Sequence, residues 1–301
     1  MAPVTEGMAE FGDYRTWYRI TGDLSSDQAP LVVLHGGPGC VHDYLLSIAA
    51  IAESGRPVIH YDQVGNGRST HLRDRPPEFW TVRLFLDELE SLVDTLGIAG
   101  RYHVLGQSWG GMLAAEHATL RPAGLRGLVI CDSPASMDLW VAAAGRLRAE
   151  LPPGVDDVLR AHEEAGTTDS EDYQRAMRFF YDRHVCRVVP WPPEVERTFA
   201  AIEDDPTVYL AMNGPSEFHV IGSLREWSIM DRVHLVAVPT LIVSGEFDEA
   251  APDTVRPYHE RIPDARWEIL PGCSHMPHVE DPGRFMSLVT GFLDSLDAAG
   301  E

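Results

Sequence analysis

The stretch Tyr102-His103-Val104-Leu105-Gly106-Gln107-Ser108-Trp109-Gly110-Gly111 runs from an apolar segment into a glycine-flanked serine. A helix-like segment, Met112 to Leu120, follows it. Strand, sharp Gly-x-Ser-x-Gly turn and helix make an elbow that lifts a serine hydroxyl clear of a sheet. The turn needs glycine on both sides, because the serine backbone is strained and neighbouring chain passes close by. The hydroxyl then stands at a helix N-terminus, where developing negative charge is favoured.

Outward from this elbow, short apolar runs alternate with helical periodicity. Tyr14 to Ile20 reads as a strand paired with residues 7–11 through the Gly12-Asp13 turn. Pro30 to Leu34 and Pro57 to Tyr61 read as further strands, separated by a helix-like Val41 to Ser54. Thr81 to Leu96 carries Leu84, Phe85, Leu89, Leu92, Val93 and Leu96 at helical spacing. Leu125 to Cys131 is another apolar run. Such alternation predicts a mostly parallel sheet with helices on both faces. It stops at Ser133-Pro134. Residues 134–233 are helical, loop-like and punctuated by proline, which predicts a helical cap inserted between core segments 1–133 and 234–301. The pattern resumes with a strand, Val238 to Ser244, a helix, Val255 to Ile262, a strand, Ala265 to Leu270, and a helix, Pro282 to Leu296. The predicted class is α/β, with the α/β-hydrolase fold.

An elbow serine needs a base, and the base needs an orienting acid. In this fold the chain order is serine, acid, histidine. Asp248 follows the strand ending at Ser244, in Gly245-Glu246-Phe247-Asp248-Glu249. His275 follows the next strand, in Gly272-Cys273-Ser274-His275. Both sit past strand C-termini, where catalytic groups gather in open α/β sheets. Ser108 is the expected nucleophile, His275 the base and Asp248 the acid. Asp132, just past the preceding strand, competes for the acid role, and His278 for the base. His35-Gly36-Gly37-Pro38-Gly39 follows the strand at Pro30 to Leu34. It supplies the glycine-rich loop from which an oxyanion donor comes, so Gly37 and Trp109 are the expected backbone donors.

Three motifs together resemble the proline iminopeptidase family of α/β-hydrolases. They are His-Gly-Gly-Pro-Gly at 35–39, Asp-Gln-x-Gly-x-Gly-Arg-Ser at 62–69 and Gly-Gln-Ser-Trp-Gly-Gly at 106–111. Val64 departs from the pattern, since many members carry Arg there. Met212-Asn213-Gly214-Pro215-Ser216-Glu217-Phe218 looks like the cap segment of the tricorn-interacting aminopeptidase and related amino-acid amidases. The resemblance implies that Glu217, and Glu249 after the triad aspartate, bind the free α-amine of a substrate. It implies a serine aminopeptidase acting on short peptides or amino-acid amides. An esterase, thioesterase or pathway-specific amidase on the same fold is the alternative. Trp140, Phe179, Phe180, Tyr181, Tyr209 and Phe218 are candidate walls for an apolar pocket, Tyr209 foremost.

Composition excludes other classes. There are 46 acidic residues against 24 basic ones, all Arg, for a net charge of −22. That argues against a nucleic-acid partner, which needs a basic surface. The acidity serves solubility or attracts cationic substrates. No apolar stretch is long enough to span a membrane, and residues 1–20 carry no signal-peptide pattern, so the expected location is cytoplasmic. Cys40, Cys131, Cys186 and Cys273 are scattered and read as free thiols. The histidines lack His-Glu-x-x-His spacing and the glycine motifs are not dinucleotide fingerprints, so no metal or cofactor is implied.

Overall fold

The computed structural model describes residues 2–299. Eight strands form one sheet in the order β1-β2-β4-β3-β5-β6-β7-β8. The strands are β1 (Val4–Phe11), β2 (Tyr14–Thr21), β3 (Leu31–Leu34), β4 (Val58–Tyr61), β5 (Tyr102–Gln107), β6 (Leu125–Cys131), β7 (Thr240–Gly245) and β8 (Ala265–Leu270). The β1–β2 hairpin joins β4 antiparallel, and every other pairing is parallel. Chain order reverses between β3 and β5, which are neighbours in space. The C-terminal ends of those two strands therefore flank the crevice where open α/β sheets bind ligands.

The inner strands are apolar at nearly every position because both sheet faces are covered. Side chains alternate between faces along each strand. Val32, Leu34, Val104 and Ile130 enter one core with Phe85 and Leu89 of α1 (Val82–Thr95) and Leu113 of α2 (Trp109–Thr119). Leu31, Val33, Leu105 and Val129 enter the other with Leu45 and Ile48 and with Phe285 and Val289 of α10 (Pro282–Ala299). Fully burying such side chains contributes about 1.5–3 kcal/mol each. Thr81 caps α1 by accepting from Leu84 N, which fixes where that helix starts.

One element differs from expectation. His42–Ser54 winds as a 3₁₀ helix. Leu45, Ile48 and Ile51 recur every third residue and are buried, so a three-residue turn lines them on one face.

Between β6 and β7 the chain leaves the sheet. It forms α3 (Met137–Ala149), α4 (Val155–Ala165), α5 (Glu171–His184), α6 (Pro193–Asp204) and α7 (Thr207–Met212). The stems of this excursion are tied together. Met137 N donates to Trp227 O at 3.0 Å and Ile229 N to Ala135 O at 3.1 Å. After α7 the chain folds over Asn213, whose carbonyl accepts from Ile221 N and Gly222 N. Its side-chain amide donates to Ser216 O at 3.0 Å. Gly214, at φ 148, passes so close to His219 O that a Cβ there would lie 2.3 Å from it. This tight loop carries Glu217.

An acid interrupts the buried face of α1. Glu88 is fully buried and accepts from the Thr16 hydroxyl and from Val64 N at 2.8 Å. Burial pushes its carboxyl up to about 8, against the pull of those two donors. The native chain thus keeps a proton that the unfolded chain releases near about pH 4.3. Its contribution to stability falls as pH rises from about 4.3 towards about 8. Glu88→Gln is expected to lose less melting temperature than wild type between pH 6 and pH 9. Equal losses would assign the alkaline destabilisation to other groups.

Candidate active site

Ser108 stands between β5 and α2 with φ 57 and ψ −124, a strained backbone for a residue with a side chain. Its flanks explain the glycines. A Cβ on Gly106 would lie 2.0 Å from Gly110 O, and one on Gly110 would lie 2.1 Å from Leu34 O. The elbow therefore closes only without those side chains.

Three short motifs meet around it. Gln63 N donates to His35 Nε2 at 2.9 Å, and Gln63 Nε2 donates to His35 O at 2.9 Å. Trp109 Nε1 donates to Gln63 Oε1 at 2.8 Å. Accepting at Nε2 makes His35 Nδ1 the donor, and it faces Gly36 O at 3.0 Å. Burial holds the His35 ring neutral by lowering it to about 4. The glycine-rich loop after β3, the loop after β4 and the elbow are thus one hydrogen-bonded unit.

Tyr44 extends it. Its hydroxyl accepts from Gly36 N at 2.8 Å and donates to Gln107 Oε1, while Gln107 Nε2 donates to His275 O at 2.8 Å. Gly36 N is occupied by this contact. Gly37 N and Trp109 N have no acceptor among the described residues. Both residues line one small cavity with Ser108.

Asp248 and His275 are brought together. His275 Nδ1 lies 2.7 Å from Asp248 Oδ1, which also accepts from Ala250 N at 2.8 Å. The Nδ1 hydrogen bond leaves Nε2 as the lone-pair nitrogen. No hydrogen bond joins Ser108 to His275 among the described residues, as is common before substrate tightens a site. His278 is turned away, with its Nε2 3.1 Å from Tyr44 O. Burial lowers it to about 3, so it stays neutral under the 3₁₀ helix.

Glu217 and Glu249 converge on the imidazole from the excursion and from the β7 loop. Glu249 Oε1 lies 3.6 Å from His275 Nε2. Both Glu249 oxygens are buried without a hydrogen-bond partner. Burial, then the charges of Glu217 and Asp248, hold its carboxyl well above the usual range. Glu217 is also raised by burial, opposed by His275 and by the Tyr209 hydroxyl. That hydroxyl donates to Glu217 Oε1 at 2.9 Å. Tyr209 is therefore placed on Glu217 rather than on the apolar wall.

The wall is built by Met112, Pro134, Met137, Trp140 and Leu224, around a small cavity. Trp140 belongs to both parts. Its ring packs edge-on to His275, and its Nε1 donates to Glu217 O at 2.6 Å. Of the other aromatic candidates, Phe180, Tyr181 and Phe218 pack against one another, and Phe179 is exposed.

His184, at the end of α5, escaped sequence reading. Its carbonyl accepts from both Glu249 N and His275 N, at 3.2 Å each. Only its position as the last residue of an amphipathic helix hinted at a capping role. The four cysteines are free and buried. No group of side chains suited to a metal occurs among the described residues, and none of their helices is long and apolar enough to cross a membrane.

Comparison with known proteins identifies the family and the fold. Residues 29–282 match the alpha/beta hydrolase fold family. The proline iminopeptidase of Lactobacillus delbrueckii subsp. bulgaricus is 36% identical over 299 residues, covering 99% of this chain and 100% of the relative. That of Thermoplasma volcanium is 36% identical over 289 residues, 96% of each chain. The crystal structure of a Mycobacterium smegmatis proline iminopeptidase superposes with a TM-score of 0.93 at 51% identity, covering 99% of this chain and 100% of that one. The crystal structure of VinJ gives a TM-score of 0.96 at 56% identity, covering 97% and 99%. This chain, a hydrolase, belongs to the proline iminopeptidase family of α/β-hydrolases.

Proposed function

We propose that this protein is a serine aminopeptidase that releases an N-terminal residue, proline foremost, from short peptides or amino-acid amides. The observation that carries the proposal is the buried pair Glu217 and Glu249 beside the imidazole. Both Glu249 oxygens lie in a water-poor site without a donor. A substrate ammonium supplies the missing donors and the missing charge. Each charge-assisted hydrogen bond is worth roughly 1.5–3 kcal/mol. The acidic excess of the chain, 46 against 24, favours the approach of such a cation.

In this reading the Ser108 hydroxyl attacks the carbonyl carbon and passes its proton to His275 Nε2. Asp248 holds the ring in the productive tautomer and stabilises the imidazolium. Gly37 N–H and Trp109 N–H take the charge that develops on the carbonyl oxygen. Collapse expels the leaving amine with the proton from His275. Water then cleaves the acyl-enzyme by the same route in reverse. Residues 134–233 act as the cap over core segments 1–133 and 234–301. They place Glu217 and Trp140 over the nucleophile and so make amine recognition depend on the cap. The cavity beside Ser108 is small and walled mainly by apolar side chains, which suits one compact apolar side chain. The four free thiols fit a reducing compartment such as the cytoplasm.

The test is a panel of aminoacyl-p-nitroanilides of Pro, Ala, Leu and Phe, each with a free or an acetylated amine. Turnover of the free amines only, with Pro or Ala ahead of Phe, is the expected result. Turnover that ignores acetylation overturns the amine clamp and moves the search to esters and specialised amides.

A further inference from the structure

Asp132 directly follows β6, next to the loop after β7, and no part of it reaches solvent. Its backbone sits at φ 51, a strained setting that Asp tolerates better than most residues. Asp132 Oδ1 accepts from Gly245 N at 3.1 Å. Asp132 Oδ2 has no partner. Asp248 is the neighbouring carboxyl that acts on it most strongly. Asp248 shows the same asymmetry, because Oδ1 takes His275 Nδ1 and Ala250 N while Oδ2 is buried and unpartnered. Two carboxyl groups are therefore neighbours in a dry site with one unsatisfied oxygen each. If both were ionised, neither oxygen could satisfy the other, and like charges would meet without water. A single shared proton satisfies both.

We propose that Asp132 is a positioning residue that carries this proton and donates it to Asp248 Oδ2, making the acid behind His275 a carboxylic acid–carboxylate pair. The donor count decides which partner keeps the charge. Asp248 receives two N–H donors besides this one, and Asp132 receives only Gly245 N. The groups that face Asp132 are Asp248, Glu280 on the short helix Pro277–Glu280, and Cys131 at the end of β6, with Tyr44 further out. None is a fixed cation, and His275 reaches Asp132 only through Asp248. In agreement, burial and then the Asp248 charge hold the Asp132 carboxyl well above the ordinary carboxylate range.

The pairing has a chemical consequence. A neutral donor on Oδ2 draws charge from the face of Asp248 that holds the imidazole. This inference rests on reading Asp248 and His275 as the acid–base pair.

The test compares pH profiles of kcat/KM on a simple ester, which carries no titrating amine, for wild type, Asp132→Asn, Asp132→Ala and Asp248→Asn. In Asp132→Asn the amide N–H₂ donates to Asp248 at every pH, and the amide oxygen still accepts from Gly245 N. It is expected to stay within about threefold of wild type at pH 7 and to lose the alkaline decline that ionisation of Asp132 imposes. Asp132→Ala, which leaves Asp248 Oδ2 without a donor, is expected to lose about tenfold or more at pH 7. Equal profiles for the Asn and Ala variants overturn the proposal. So does an alkaline limb unchanged in Asp132→Asn, which decides the matter even if the Ala variant does not fold. Asp248→Asn separates the two readings, with an expected loss of about 10⁴-fold. If it is fully active, the triad assignment fails. If it is inactive while the Asp132 variants match each other, only the proton-sharing pair fails.

Discussion

Ser108→Ala is expected to lower kcat/KM on a free-amine anilide by about 10⁵–10⁶-fold, with the fold intact. The size follows from what the hydroxyl does alone. It is the only hydroxyl in the cavity that also holds Gly37 and Trp109, so no neighbour replaces it as a nucleophile. What survives is binding plus the two backbone donors, which alone leave a residual advantage of about 10³–10⁴ over water. The elbow geometry does not depend on the hydroxyl. Its turn rests on Ser108 N donating to Cys131 O at 2.9 Å and on Gly111 N and Met112 N donating to Ser108 O. Alanine keeps all three bonds, so far-UV circular dichroism and the melting temperature are expected to stay near wild type. A loss below about 100-fold with intact fold would mean that another group attacks the substrate. Mass spectrometry after a serine-directed phosphonate gives an independent reading, with the adduct expected on Ser108 in wild type and none in the variant.

How far the sequence discloses this arrangement depends on the range of the interaction concerned. The strands Leu125–Cys131 and Ala265–Leu270 have the expected bounds, because an apolar run bounded by turn residues is a local signal. The meeting of Asp248 and His275 is legible because loops after neighbouring strands converge at the C-terminal edge of an open α/β sheet. Gln63, Trp109 and His35 stand in recognisable motifs, but their mutual hydrogen bonds join loops that lie far apart in sequence and have no periodicity. Glu88 looks like a solvated residue on an amphipathic helix, yet it is buried on that helix's inner face. Nothing in its neighbours announces Thr16 and Val64 as partners. Asp132 reads as one of two rival acids, whereas the structure makes the rivals buried neighbours. Tyr209 reads as an apolar wall because its ring dominates its chemistry in sequence. Only the cap loop that delivers Glu217 shows why its hydroxyl matters.

Amine recognition gives the second large effect. Glu249→Gln and Glu217→Gln are each expected to cut kcat/KM on free-amine anilides by about 10–200-fold, the equivalent of one charge-assisted hydrogen bond at roughly 1.5–3 kcal/mol. Simple esters without an amine are expected to change little, since nothing on them meets the carboxylates. Glu249 has the larger expected effect. Its two oxygens have no donor in the free site, whereas Glu217 already accepts from Tyr209. The pH dependence follows from the raised carboxyls. In the free enzyme, protons compete with the substrate ammonium for both sites. Lowering pH fills them with protons, so KM for free-amine substrates should rise towards acid while ester KM stays flat. The folding sign runs against function. A carboxyl raised on burial binds its proton more tightly in the native than in the unfolded state, so its contribution to stability falls as pH climbs above the unfolded value of about 4.3. Glu249→Gln should therefore melt higher than wild type at pH 8 while turning over amines far more slowly. Equal loss on amines and esters would instead tie both glutamates to the acyl-transfer chemistry, with Glu249, 3.6 Å from His275 Nε2, acting on the base.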